Sequence, residues 1–197
     1  MNLHIANRPP EPTLRLFDVA ELDRMIAAGI VAADERVELL DGELVWMAAT
    51  MFRHHSVHMR LLHWMAERLG RAFHVGAAGS LRLGPTTLVE PDILIARQEA
   101  LLTSSEGFLE LAPADILLIV EIADTTLAFD LTRKAGLYAR HGAAEYWVVD
   151  ARTLTTHVHR EPSPDGYGSV TAVAADEVIS PLAPALAPLR RALASLA

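Results

Sequence analysis

No cysteine occurs among the 197 residues, which excludes disulfides, thiolate-bound zinc, iron–sulfur clusters and thiol nucleophiles. There is no run of about 18 uncharged apolar residues and no basic-then-apolar N-terminal leader, so a cytoplasmic protein with no membrane association is expected. Glycine-rich phosphate loops are missing as well. Neither G-x-x-x-x-G-K-[ST] nor G-x-G-x-x-G is present, which removes P-loop nucleotide hydrolysis and dinucleotide redox chemistry and leaves no organic cofactor to expect. No serine stands in a G-x-S-x-G elbow and no H-E-x-x-H pattern occurs, which disfavours serine hydrolases and zinc proteases. Positive charge is in the minority. The 17 Lys+Arg against 25 Asp+Glu give a formal net charge of −8, which argues against a broad basic face for holding DNA but not against a local basic patch.

The apolar content, 51% of the residues, is ample for a packed core, and the length fits one domain. Met1 to Pro12, with Pro9, Pro10 and Pro12, reads as a Pro-rich tail. Residues 13–197 read as a single mixed α/β domain. Asp18 with Glu21 forms a capping-box pattern ahead of Val19, Leu22, Met25 and Ile26 at helical spacing, and Gly29 is placed to stop that helix. Val37–Leu40 and Glu43–Met47, joined by Asp41-Gly42, predict a hairpin, because that pair tolerates the positive φ of a tight turn. Val57, Leu61, Trp64, Met65 and Leu69 predict one apolar face of a helix over His54–Leu69, closed by Gly70.

Strands are expected at Phe73–Ala77, Leu81–Leu83 and Leu88–Ala96, and a loop or short helix at Leu101–Leu111. The continuous apolar run Ile116–Ile122 reads as a strand buried on both faces. A helix over Phe129–His141, a central strand at Glu145–Asp150, an outer hairpin (Thr153–Arg160 with Gly168–Ala174) and a short C-terminal helix within Leu182–Ala197 complete the chain.

Three side chains carry the chemistry. Asp92 follows Pro91 inside a strand candidate, Glu121 closes the most apolar strand, and Lys134 lies on the next helix, near Asp130. Carboxylates at the ends of two adjacent strands can share one hard cation, and Mg²⁺ takes oxygen ligands while keeping several waters. Such an ion polarises a phosphoryl oxygen and acidifies bound water, and a neighbouring ammonium offsets developing negative charge. The same residues also fit a plainer reading, with the carboxylates capping loops or pairing with arginines and Lys134 on a solvated surface. His54, His55, His58 and His63 cluster on or before one helix. A transition-metal site is geometrically possible there, although surface histidines are the simpler reading. Tyr146-Trp147 reads as core packing, and Arg133 and Arg140 as partners of surface carboxylates.

Several segments together resemble a known family. They are Glu38-Leu39-Leu40-Asp41-Gly42-Glu43-Leu44-Val45, a His before the first core helix (His54 or His55), Pro91-Asp92-Ile93-Leu94, Leu118 to Asp124, Asp130 to Lys134, Leu137 to Arg140, and Glu145 to Asp150. This set is similar to the Uma-type restriction endonucleases of the PD-(D/E)xK superfamily, over about Val37 to Leu182. The resemblance implies a restriction-endonuclease-like core: a mixed β-sheet flanked by helices, with an N-terminal hairpin and C-terminal additions. It implies an endonuclease that hydrolyses DNA with Mg²⁺ (or Mn²⁺), in which Asp92 and Glu121 are the metal-binding carboxylates and the backbone carbonyl of Ile122 is a third ligand.

The superfamily lysine would fall at position 123, where this chain has Ala123, and the resemblance implies that Lys134 stands in for it. Glu43, in preference to Glu38, is expected as the additional acid. A homodimer is a further expectation from the way restriction enzymes cut two strands. The alternatives are a catalytically weak or inactive nuclease-fold protein serving as a binding or structural module, and hydrolysis of RNA at the same metal site.

Overall fold

The computed structural model describes residues 14–32, 34–77, 79–103 and 107–196, and the Pro-rich segment Met1 to Pro12 lies outside them. Helix α1 (Val19–Ala27) begins at an Asp18 N-cap whose side chain accepts from the Glu21 N–H, while the Glu21 carboxylate bonds back to the Asp18 N–H. Ala28 is the C-cap, and Gly29 follows it with φ +70°. Strands β1 (Val37–Leu40) and β2 (Glu43–Trp46) form the expected hairpin, with Asp41 and Gly42 at φ +52° and +88°. Helix α2 (Phe52–Leu69) buries Val57, Leu61, Trp64, Met65 and Leu69, the face anticipated from their spacing.

Next come β3 (Phe73–Gly76), β4 (Leu81–Gly84), β5 (Thr87–Val89) and β6 (Ile93–Arg97), then the short strands β7 (Leu102–Thr103) and β8 (Leu109–Glu110). The expected strand over Leu88–Ala96 is therefore two strands, and they belong to different sheets. Pro91 has no N–H to donate to a ladder, and the chain crosses between sheets at Glu90–Asp92. The segment expected as loop or short helix at Leu101–Leu111 contributes β7 and β8 to a sheet edge.

Strand β9 (Ile116–Ala123) leads into α3 (Leu127–Phe129), a π-helical turn at Asp130–Lys134 and α4 (Ala135–Arg140). Strands β10 (Glu145–Asp150), β11 (Thr156–Ser163) and β12 (Gly166–Val173) follow, with β11 running through Pro162 into the turn. The C-terminus pairs β13 (Val178–Ile179) with β14 (Arg191–Ala192), and the short helix expected there is two 3₁₀ segments, Pro184–Leu189 and Leu193–Leu196. Pro184 and Pro188 lack the donors that a longer α-helix needs.

Two mixed six-stranded sheets result, in the orders β2-β1-β5-β4-β8-β7 and β12-β11-β10-β9-β6-β3. In the second sheet, β9 pairs parallel with β10 and antiparallel with β6. Alternation along β9 divides its side chains. Leu118, Val120 and Ile122 pack with α2 and the C-terminal turns, whereas Ile119 and Ala123 pack with Leu137 and Tyr138 of α4. Leu40, Leu81 and Val89 of the first sheet join this second core, so the two sheets and α4 meet where Glu121 points. Among the described residues, no helix is long and apolar enough to cross a membrane.

Candidate active site

The register places the two central carboxylates. Ile93 pairs with Val120 in the antiparallel β6–β9 ladder, and one further step of that register sets Asp92 across from Glu121. Asp92 lies just beyond the end of β6, and its Oδ2 accepts from the Ile122 N–H at 2.8 Å and contacts His54 Nε2 at 3.0 Å. An extended residue sends its N–H and C=O to the same edge, so the Ile122 carbonyl faces the Asp92 side, past the last β6 partner.

Glu121 has the same parity as Ile119 and Ala123 and therefore projects toward the helical segment after β9. There its Oε1 accepts from Lys134 Nζ at 2.9 Å and from the Tyr138 hydroxyl at 2.9 Å. Lys134 and Tyr138 are four apart and share a helical face. The π-helical turn immediately before α4 carries Asp130 and Lys134, and both are buried. Turns of this kind widen the helix locally and recur at functional sites.

Lys134 is also held from the first sheet. Its Nζ lies 3.0 Å from Glu38 Oε1, which in turn accepts the Glu90 N–H at 2.8 Å. Glu38, and not Glu43, is thus the additional acid gathered here. Strand β1 lies inside its sheet, between β2 and β5, and Glu38 shares the inward face with Leu40. Glu43 sits on the edge strand beside the turn, where it pairs with Arg133 at 3.0 Å. A charged residue alternating with buried leucines was the available sign of Glu38. Arg140 pairs with Asp41, and Tyr146 and Trp147 are fully buried core residues.

The electrostatics follow from four carboxyl groups, Glu38, Asp92, Glu121 and Asp130, arranged around one ammonium. Burial pushes Glu121 up to about 8 against the pull of Lys134, and Asp92, Glu38 and Asp130 add to the rise. Burial also lifts Asp130 to about 6, although its hydrogen bond from Thr126 opposes this. Burial acts to raise Asp92 too, but the His54 contact, the Ile122 N–H and Lys134 outweigh it and hold that carboxyl below the usual range. For Lys134, burial is overcome by Glu121 and Glu38, so the amine stays protonated. Two adjacent carboxyls with oppositely displaced acidity are a recurring feature of functional sites.

These groups line a small cleft of about 60 Å³ bounded by Asp92, Glu121, Ile122, Asp130, Lys134 and the 47–51 loop. Among the described residues, no three His, Asp or Glu side chains form a ready-made metal cage. Glu38 Oε2 and His54 Nδ1 are nevertheless buried without a hydrogen-bond partner. The histidine cluster divides: His63 pairs with Glu67 on the exposed face at 3.1 Å, the His54 and His58 rings stand 6.3 Å apart, and His55 lines a neighbouring hollow.

The family model for Uma2, described as "Putative restriction endonuclease", matches residues 19–193. The chain belongs to the Uma2 family. None of the curated proteins searched matches the sequence. Among solved structures, the fold is similar to a protein from Anabaena variabilis ATCC 29413 described as a putative nuclease of DUF820. The TM-score is 0.66 and the identity 15%, covering 83% of this chain and 90% of that one.

Proposed function

We propose that this Uma2 protein is a divalent-cation-dependent endonuclease that hydrolyses DNA phosphodiester bonds. One observation carries the reading: Asp92 and Glu121 stand side by side in the lining of a cleft, with the Lys134 ammonium 2.9 Å from Glu121. The donor set fits a hard cation. Asp92, Glu121 and the Ile122 carbonyl would supply oxygen ligands to Mg²⁺ or Mn²⁺, with waters filling the remaining positions. Burial, with the neighbouring carboxyls adding to it, raises Glu121 and Asp130, and a bound cation would offset both effects. When bound, the ion would polarise a phosphoryl oxygen and lower the pKa of a ligated water.

The protein's own groups have distinct parts. Asp92, held ionised and oriented by the Ile122 N–H and His54, is the fixed anionic ligand. Glu121 is aimed by Tyr138 and Lys134 and would have to lose its proton to serve as a ligand. Lys134 is a permanent cation, suited to offsetting charge on the phosphoryl oxygens rather than to accepting the proton of the attacking water. Glu38 holds that ammonium from its other side.

Purified protein incubated with supercoiled plasmid and Mg²⁺ or Mn²⁺ should nick it, and Asp92→Asn should lower the rate by at least about 100-fold, the scale of losing several kcal/mol of charge stabilisation. Equal background cleavage by wild type and variant would remove the nuclease reading. A second reading, a nuclease scaffold serving only as a binding module, is favoured by the closed Glu121–Lys134 pair and by Ala123. It requires that Mn²⁺ titration by calorimetry give no heat that Glu121→Gln abolishes.

A further inference from the structure

A polyanion approaching this cleft meets an acidic floor in a chain of net charge −8, so cations must flank its path. Asp124, three residues beyond Glu121, lines the same cleft. Its Oδ1 binds Arg53 Nη1 at 2.9 Å and Arg152 Nε at 3.2 Å. The two arginines come from unrelated places, the first turn of α2 and the turn after β10. The Asp124 side chain is only 10% exposed, whereas those of Arg53 and Arg152 are 54% and 60% exposed. One largely buried carboxylate thus fixes two guanidinium groups while leaving most of their surface to solvent. The cluster carries a net charge of +1. Guanidinium groups pre-organised in this way suit phosphate oxygens, because their N–H groups form a rigid fork.

We infer that Arg53 and Arg152, gathered on Asp124 at the rim of the cleft, form a subsite for a backbone phosphate next to the one being cleaved. The inference rests on the nuclease reading and specifies how the strand is seated. Three residues of extended chain span roughly 10 Å. That separation between Glu121 and Asp124 leaves room for the arginines to meet a phosphate next to the one facing Glu121 and Lys134. The contact is to backbone and carries no base readout, so it contributes affinity without sequence preference.

Fluorescence anisotropy with a fluorescein-labelled 20-base-pair duplex and the matching single strand, in EDTA and in Mg²⁺, tests this across a salt series. The double variant Arg53→Gln/Arg152→Gln should bind roughly tenfold more weakly, with a slope of log affinity against log salt shallower by about one to two. A purely structural role for the trio would instead lower the melting temperature and leave the salt slope unmoved. Mn²⁺ binding by calorimetry should be retained in the double variant.

If wild type binds and cleaves DNA while the double variant keeps its affinity and slope, the subsite is refuted and the nuclease reading survives. If wild type binds neither DNA form in either condition, both fall.

Discussion

Lys134 Nζ lies 2.9 Å from Oε1 of Glu121 and the two side chains are almost completely buried, although one comes from a central strand and the other from the helical segment that follows it. Glu38 reaches the same ammonium from the other sheet at 3.0 Å. This three-way contact joins the two sheets and α4, and it makes the site a structural element as well as a chemical one.

Removing the ammonium leaves the buried carboxyl groups of Glu38 and Glu121 without their shared donor. Lys134→Met should therefore destabilise the protein by roughly 3–5 kcal/mol, the range for breaking a buried ion pair from one side. Urea denaturation would measure it. The double variant Lys134→Met/Glu121→Gln should recover part of the loss, since one of the two buried acids left without a partner is then replaced by an amide.

Glu38 and Glu43 should separate cleanly. Glu38→Gln weakens the hold on Lys134 and should lower both stability and cleavage, whereas Glu43→Gln, whose partner is the half-exposed Arg133, should change stability by less than about 1 kcal/mol. Melting curves and nicking rates for the two variants are the comparison.

The pH dependence has a definite sign. Glu121 titrates near 4.5 when unperturbed and is raised to about 8 in the fold. Between those values the folded chain holds a proton that the unfolded chain has lost. Its contribution to the stability of the metal-free protein is therefore present at the acid end and declines as pH rises toward 8. Thermal melts in EDTA should show Glu121→Gln flattening this decline. Mn²⁺ should bind more tightly as pH rises through the same window, with proton release.

The hairpin turn gives a test independent of the chemistry. Gly42 has φ +88°, and a Cβ there would lie 2.7 Å from Leu16 Cβ and 3.1 Å from the Phe17 carbonyl oxygen. Gly42→Ala should cost roughly 1–3 kcal/mol, read as a lower urea midpoint, and would disturb the strand that presents Glu38.

Much of this arrangement was legible in the sequence because local rules and tertiary structure agreed. Asp41-Gly42 forms the turn that its φ preferences require, the five apolar residues of α2 face the core, and the uncharged run of β9 lies in mid-sheet. Departures occurred where a neighbour decided. The Leu88–Ala96 run looked continuous, but Pro91 marks a crossing between sheets, and that crossing is what leaves Asp92 at a strand end facing Glu121.

Glu43 is the acid the sequence favours because it falls just past the Asp41-Gly42 turn. The choice depended instead on which strand of the hairpin is interior, and that is set by β5, about 50 residues away in sequence. The π-helical turn before α4 leaves no mark in the Asp130–Lys134 composition. The Arg53–Asp124–Arg152 trio draws on three segments with no shared pattern.

The most direct test is anomalous scattering from crystals grown with Mn²⁺. A peak at about 2.1 Å from carboxylate oxygens of both Asp92 and Glu121, lost in Asp92→Asn, is the predicted result. Crystals saturated with the ion that show no peak there, or a peak at His54 and His58 instead, would contradict the account.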